Sequence, residues 1–532
     1  MAAAGVDPHA AKIAAAAAAA GTGRMVEAVA LYAEILETVP HHPAALAGLA
    51  PILEIARSGA YHPGLAVLTS HCLAAPGVNP EALSPAATHQ LAHRFPQPAA
   101  DIAGFAADPL ALRVLENAVV RDVAYEAALC RLRGALVAGP PTPDTFRLAV
   151  AFAHQAYNNE YIWDESPSET AAAAALAPDA FGLACRAMYA PLDDAAEAMP
   201  ELAALWQRTR AEPARVRERA AAVAPLFPIE DATSQAVRAM YEINPYPRWL
   251  GLTRFEPIDA RAQVALRYPS GGVKPRPPGP LDVLIAGCGT GRHALSVATT
   301  YRDARVLAVD LSRASLGYGA RMAEIEGVTN VEFRHGDILT LPRLGRSFPH
   351  VESVGVIHHM RSPREGLEAL VECLAPYGLL RLGLYGEAAR AGIVAARAAI
   401  AERAYPADLA GMRRFRADVV AGALGAALRD DLVARPDFHS ASLLRDLCFH
   451  VQEHRFDCAR LKALLDGLPL RFLGFEFVLG QTGQSTADAP QFRRYAERFP
   501  GNRSFADLAR WAELERETPD LFDGYVFWCM RI

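Results

Sequence analysis

Lysine is nearly missing from this chain of 532 residues: three of its 53 basic residues are lysine (12, 274 and 462) and the other 50 are arginine. The 59 acidic residues bring the formal charge to −6, and no long block of one sign occurs. That balance excludes a protein held to nucleic acid by a basic surface. Against so much arginine, the cluster Arg413, Arg414 and Arg416 reads as a solvated helix face rather than an anion site. The eight cysteines contain no Cys-x-x-Cys pair and no regular spacing, which argues for reduced thiols and against a disulfide framework or a redox role. No run of eighteen apolar residues exists. The longest low-polarity stretch near the start, Ile13 to Ala20, is too short to span a bilayer. Asp7 precedes it and no basic leader is present, so the expectation is a cytoplasmic chain with no membrane partner.

What is present is enough apolar residue, 52% of the chain, to bury two to four cores. The first third is helical by pattern. Within it Gly23, Ala28, Tyr32, Ile35 and Pro40 are echoed by Gly59, Gly64, Leu68, His71 and Pro76 at a spacing of 36. That set resembles a degenerate tetratricopeptide pair, whose unit is about 34 residues. Two such units do not close a solenoid, so they must lean on the helices that follow. Helical spacing continues through Leu110, Leu112, Leu115, Val119, Val123 and Ala127. The polar stretch Tyr157 to Thr170 carries Tyr161 and Trp163, read as core anchors rather than a recognition surface.

After a Pro/Gly-rich stretch (269–280) the pattern becomes α/β. Apolar runs at 282–286, 305–309, 331–334, 351–357 and 379–385 read as buried parallel strands, with helices at 293–301, 315–326 and 364–374 between them. About eighty mostly helical residues then precede two further strands, at 471–478 and 525–532. The expected parts are a tetratricopeptide-like region (1–105), a helical domain (106–235), an α/β core (236–388), a helical insert (389–465) and the last two strands (466–532).

The first strand ends in Gly287-Cys288-Gly289-Thr290-Gly291, just before a helix. Glycines let the backbone turn tightly and approach a ligand, and the helix start offers free N–H groups. Asp310 ends the second strand, 21 residues after Gly289, where a carboxylate can accept both ribose hydroxyls; Leu311 follows it. Asp337 and Ile338 end the third, placed to meet an adenine amino group and ring. In this order, with His358-His359 after the fourth strand, residues 240–385 resemble a class I S-adenosylmethionine-dependent methyltransferase. The resemblance implies a Rossmann-like sheet of seven strands whose last strand inserts antiparallel between the fifth and sixth. It also implies S-adenosylmethionine as cofactor, held by the glycine loop with Asp310, Leu311, Asp337, Ile338 and His358.

One departure stands out. The resemblance implies Asp or Glu where the glycine run opens, to help hold the methionine ammonium, and this chain has Ala286. Tyr246 and Arg248 of the Asn-Pro-Tyr-Pro-Arg-Trp stretch, or backbone carbonyls near Gly287 and His358, are the candidate substitutes, Arg248 suiting the carboxylate better. That stretch reads as a lid over the cofactor. A dinucleotide site is the rival reading of the loop, but it gives Asp337 and the two late strands no role.

Methyl transfer is an in-line displacement, so the protein mainly positions the acceptor and excludes water. His358 or His359 would accept a proton or orient the acceptor; a packing role is the plain alternative. Tyr385 and Glu387, with His450, Glu453 and His454 of the insert, are the candidate substrate residues. His450-x-x-Glu453-His454 also fits an inverted zinc-protease pattern on a helix, but no third ligand is evident and no metal is expected. The overall expectation is a methyltransferase acting on a protein or peptide side chain recruited by the helical region. A small metabolite is the alternative acceptor, and a silent cofactor-binding adaptor the alternative function. The helical region could instead form a dimer interface.

Overall fold

The computed structural model describes residues 7–56, 58–254, 256–276, 279–477 and 489–532. The chain divides into two compact units: Met1–Ala214 with Trp249–Arg254 and Arg403–Arg445, and Arg215–Arg248 with Phe255–Glu402 and Asp446–Ile532. No helix among the described residues is long and apolar enough to cross a membrane.

The first unit is helical. It opens with α1 (Ala10–Gly21), α2 (Met25–Thr38), α3 (Pro43–Ile55), α4 (Pro63–Leu73) and α5 (Pro80–Arg94). Proline at the first position of α3, α4 and α5 starts each helix without losing a hydrogen bond, and His42, His62 and Asn79 before them accept from backbone N–H groups of the first turn. Gly23 makes the left-handed turn between α1 and α2, and Ala28, Tyr32 and Ile35 are buried. The chain α1 to α5 packs consecutively, with α1 also against α3 and α3 also against α5.

Buried Gln155 is among the paired polar groups of this unit. Gln155 donates to the Ala118 carbonyl at 2.6 Å and accepts from Val120 N–H at 3.2 Å. Trp163 is buried, as expected, while Tyr161 is half-buried with its backbone in the left-handed region. The arginine cluster corrects the sequence reading at Arg413 and Arg416, while Arg414 is exposed as expected. Arg416 is buried and grips Glu126 with two bonds of 2.6 and 2.5 Å, and half-buried Arg413 donates to the Tyr161 carbonyl at 2.7 Å and pairs with Glu165. Residues 389–465, read as one insert, are likewise divided: the stretch 403–445 carrying these arginines belongs to the first unit.

The second unit is built on one seven-stranded sheet: β1 (Leu281–Ala286), β2 (Ala304–Asp310), β3 (Val331–His335), β4 (Phe348–Val354), β5 (Leu374–Tyr385), β6 (Leu470–Phe475) and β7 (Gly524–Arg531). The order is β3-β2-β1-β4-β5-β7-β6. Strands β1 to β5 pair in parallel, and β7 lies antiparallel between β5 and β6, as the resemblance implies. The runs expected at 351–357 and 471–478 end early, at Val354 and Phe475; Val478 lies outside the described residues. One face carries the core around Leu284, Val309, Leu380 and Phe527, continued by Trp511, Tyr495 and Phe522 from the C-terminal helices. Parallel order puts the C-terminal ends of β1 to β5 along one edge, where a ligand crevice forms.

Breaking the buried pair in the first unit tests its weight. Arg416→Met strands the Glu126 carboxylate and is expected to lower unfolding stability by about 3–5 kcal/mol, while Arg416→Met with Glu126→Gln recovers most of that loss in denaturant unfolding.

Candidate functional site

The site begins where β1 hands the chain to the helix Arg292–Thr300. Gly287 and Gly289 both have positive φ; a Cβ on Gly287 would stand 2.3 Å from Val356, and one on Gly289 would stand 2.6 Å from the Tyr246 carbonyl. The turn is tied to β2 by Gly287 N–H and Cys288 N–H donating to the Val309 carbonyl at 2.8 and 3.0 Å. Gly291 is the residue before the helix and offers no side-chain cap, so backbone N–H groups of the first turn face outward.

Two carboxylates stand beside this turn. Asp310 accepts from Gly289 N–H at 2.8 Å and Ser312 N–H at 2.9 Å. Burial pushes its pKa up from the ordinary 3.8 to about 6, and those N–H groups hold it from rising further. Asp337 is buried and accepts from Leu339 N–H at 3.0 Å, starting a short helical turn.

A cavity of about 450 Å³ opens over the strand ends. Of the expected residues, Tyr246, Gly287, Cys288, Gly289, Asp310, Leu311, Asp337, Ile338, His359 and Tyr385 line it. Thr290 and Gly291 lie beneath the turn instead, Thr290 fully buried with its N–H donating to the Tyr246 carbonyl at 3.3 Å and its hydroxyl to the Pro247 carbonyl. Arg248, His358, Glu387, His450, Glu453 and His454 do not line it. Sequence reasoning passed over Ser234, Val237 and Tyr241, which the helix Ala232–Ile243 presents to the cavity. Their spacing of three and four was the available signal. His293 and Ser296, three apart on the next helix, were missed for the same reason.

Beyond the strand ends the histidines form a directed chain. His359 Nδ1 lies 2.7 Å from the Gln452 carbonyl, which can only accept, so that nitrogen carries the proton and Nε2 is the acceptor. His358 Nε2, 3.1 Å away, must then donate to it. His358 Nδ1 is buried with no hydrogen-bond partner, and the ring rests 4.0 Å from the Tyr385 ring. Burial, reinforced by neighbouring imidazoles and arginines, holds His358 well below its ordinary pKa and brings His359 down to about 4. Both are neutral at physiological pH. Gln452 N–H donates to His450 Nδ1 at 3.1 Å, so His450 Nε2 donates to the Tyr241 hydroxyl at 3.2 Å, which donates to Asp446 at 2.6 Å.

The zinc-type pattern does not survive. The helix Ala441–Phe449 ends before His450, and the residues after it run irregularly, so His450, Glu453 and His454 do not share a helix face. Glu453 is instead locked by Arg390 and by Arg397 at 3.0 Å, while His454 Nε2 lies 3.2 Å from the Arg361 carbonyl and Glu387 pairs with Arg455 and Arg460. A different trio, His359, Asp446 and His450, brings its ligand atoms within 4.8 Å of one another. Its imidazoles are stacked face to face at 3.7 Å, and the Gln452 N–H occupies the His450 Nδ1 lone pair. In this arrangement His450 and Asp446 are joined through the Tyr241 hydroxyl, and His359 is stacked on His450 with its ring nitrogens turned to His358 and Gln452.

Comparison with known proteins places this geometry. Residues 283–378 match the family model described as a methyltransferase domain. An uncharacterized protein of Synechococcus sp. is 30% identical over 272 residues, covering 46% of this chain and 60% of that protein. An O-methyltransferase of Pyrenophora dematioidea is 29% identical over 102 residues, 19% of this chain and 38% of its own length. The chain therefore spans less than two thirds of either relative. Among solved structures, PKMT2 from Rickettsia typhi is similar at 16% identity with a TM-score of 0.39, over 52% of this chain and 54% of that one. The strand order and the family match together identify a class I-like methyltransferase fold, with the methyltransferase domain at residues 283–378 and a helical region N-terminal to it.

Proposed function

We propose that this chain is an S-adenosylmethionine-dependent methyltransferase whose acceptor is a protein or peptide side chain. The observation that carries the reading is the cavity itself, which runs from Asp337 and Asp310 past the glycine turn to His359 and Tyr385. The residues present fit the cofactor: two carboxylates for a nucleoside, an apolar wall of Val309, Leu311 and Ile338, and a turn whose glycines leave space that a Cβ would fill. Bound there, S-adenosylmethionine supplies an electrophilic methyl and its own leaving group. Asp310 takes the ribose hydroxyls, Asp337 and Ile338 the adenine, and Tyr246 covers the nucleoside from the lid. His359, neutral, with both ring nitrogens engaged and its ring stacked on His450, walls the acceptor end, and Tyr385 shapes the same end.

The acceptor class is argued from the first unit. Its opening helices pack consecutively, with a sequence echo at 36 residues, which we take as tetratricopeptide-like and suited to a peptide. The balanced charge favours no nucleic acid partner, and we place the protein in the cytoplasm on its unpaired cysteines. A small-molecule acceptor is the second reading, favoured by a cavity of about 450 Å³ over the strand ends.

With S-adenosylmethionine labelled in its methyl group, the purified protein is expected to label the protein fraction of a cell lysate. Label confined to the metabolite fraction would establish the second reading instead, and label in neither would contradict both. The raised pKa of Asp310 adds a pH signature. Ribose hydroxyls donate to the ionised carboxylate, so cofactor affinity should fall as pH drops from 8 to 5, with the loss centred near 6. Asp310→Asn should bind about tenfold or more weakly at pH 8 and lose that dependence in titration calorimetry.

A further inference from the structure

A charged cluster is buried in the middle of the sheet. Glu352 on β4 is fully buried and accepts from His293 at 2.7 Å, His350 at 2.8 Å, the Tyr301 hydroxyl at 2.9 Å and Arg381 at 3.1 Å. Strand register creates this meeting. Ile285 on β1 lies opposite Glu352, Glu352 opposite Arg381 on β5, and Arg381 opposite Trp528 on β7. Registered neighbours project to one face. Arg381 thus reaches Glu352 on one side and Glu476 on the other, at 2.9 and 3.1 Å. Burial works to raise the pKa of Glu352, yet Arg381 and the imidazoles hold it well below the usual range, so the carboxylate is ionised. Buried ion pairs of this kind return little stability for their desolvation, which invites a functional account.

His293 is the member of this cluster that also lines the cavity. The ionised carboxylate can only accept, so His293 Nε2 carries the proton and, in the neutral ring, Nδ1 keeps its lone pair. Sheet order fixes where this pair falls along the cavity. Asp337 follows β3 and Asp310 ends β2, while Tyr385 ends β5. Between them, over β1 and β4, lie the glycine turn, His293, Ser296 and Val354 to Val356. A nucleoside on the carboxylates and an acceptor at His359 leave that middle station for the amino-acid portion of the cofactor. The carboxylates lining the cavity are Asp310 and Asp337, both at the nucleoside end, and Ala286 opens the glycine run without one.

We propose that His293 accepts a hydrogen bond from the ammonium of the cofactor's methionine portion, and that Glu352 is the positioning residue that fixes its tautomer and lends it negative charge. The inference rests on the methyltransferase reading. In it, the carboxylate missing at Ala286 is supplied from the adjacent strand, one imidazole removed from the ligand.

Two ligands separate this role from a structural one. S-adenosylhomocysteine carries the ammonium, whereas 5′-methylthioadenosine keeps the nucleoside and sulfur but has no amino-acid end. By titration calorimetry, His293→Phe is expected to weaken S-adenosylhomocysteine about tenfold or more while leaving 5′-methylthioadenosine within about twofold. Glu352→Gln should show the same selective loss; His293→Ala, at a half-buried position, provides the test if that buried substitution does not fold. Equal weakening of both ligands, or of neither, by the His293 variants would overturn the inference and leave the methyltransferase reading standing. A wild-type protein that binds neither ligand would overturn that reading, and this inference with it.

Discussion

The turn from Gly287 to Gly291 is the constraint on which the ligand-binding edge depends. It must leave β1, stay bonded to the Val309 carbonyl of β2, pass beneath the Tyr246 carbonyl and start a helix within five residues. Only backbone without Cβ atoms follows that path, at Gly287 against Val356 and at Gly289 against Tyr246. Its consequence reaches Asp310. The Gly289 N–H that the turn presents is, with that of Ser312, among the backbone donors that hold this carboxylate in place. Turn, carboxylate and lid are therefore one mechanical unit.

Electrostatics divides the cavity into ends of different character. The Asp310 and Asp337 end accepts donors such as hydroxyls and amines. The far end is walled by the His359 imidazole, which burial keeps neutral, with neutral His358 behind it and Arg390 and Arg397, whose charges are spent on Glu453, beyond. A neutral, hydrogen-bonded wall suits the task of holding an acceptor in line while a positive sulfonium loses its methyl.

Much of this was legible in the sequence because it is local. A glycine run between an apolar strand and a helix, and acidic residues closing the next two strands, are short-range signals, while the place of the last strand came from the family resemblance they carry. What failed depended on distant partners or on where a helix stops. Arg416 resembled a solvated residue because Glu126, its partner, lies 290 positions away. His450, Glu453 and His454 were read as one helix face on the substrate side because nothing local announces that the helix ends at Phe449. Tyr241 and His293 were within reach, since each sits at helical spacing from another cavity residue, but that pattern also describes ordinary packing. Glu352 was beyond reach: its strand also carries His350 and Ser353, so nothing local singles it out, and only register reveals Arg381 beside it.

The central claim is that the edge formed by β1 to β5 is built to hold S-adenosylmethionine, and its most direct test is a calorimetric titration of the folded full chain with that nucleoside and with its demethylated product. The account predicts one site per chain with micromolar dissociation constants for both. A well-folded protein that takes up neither would contradict it.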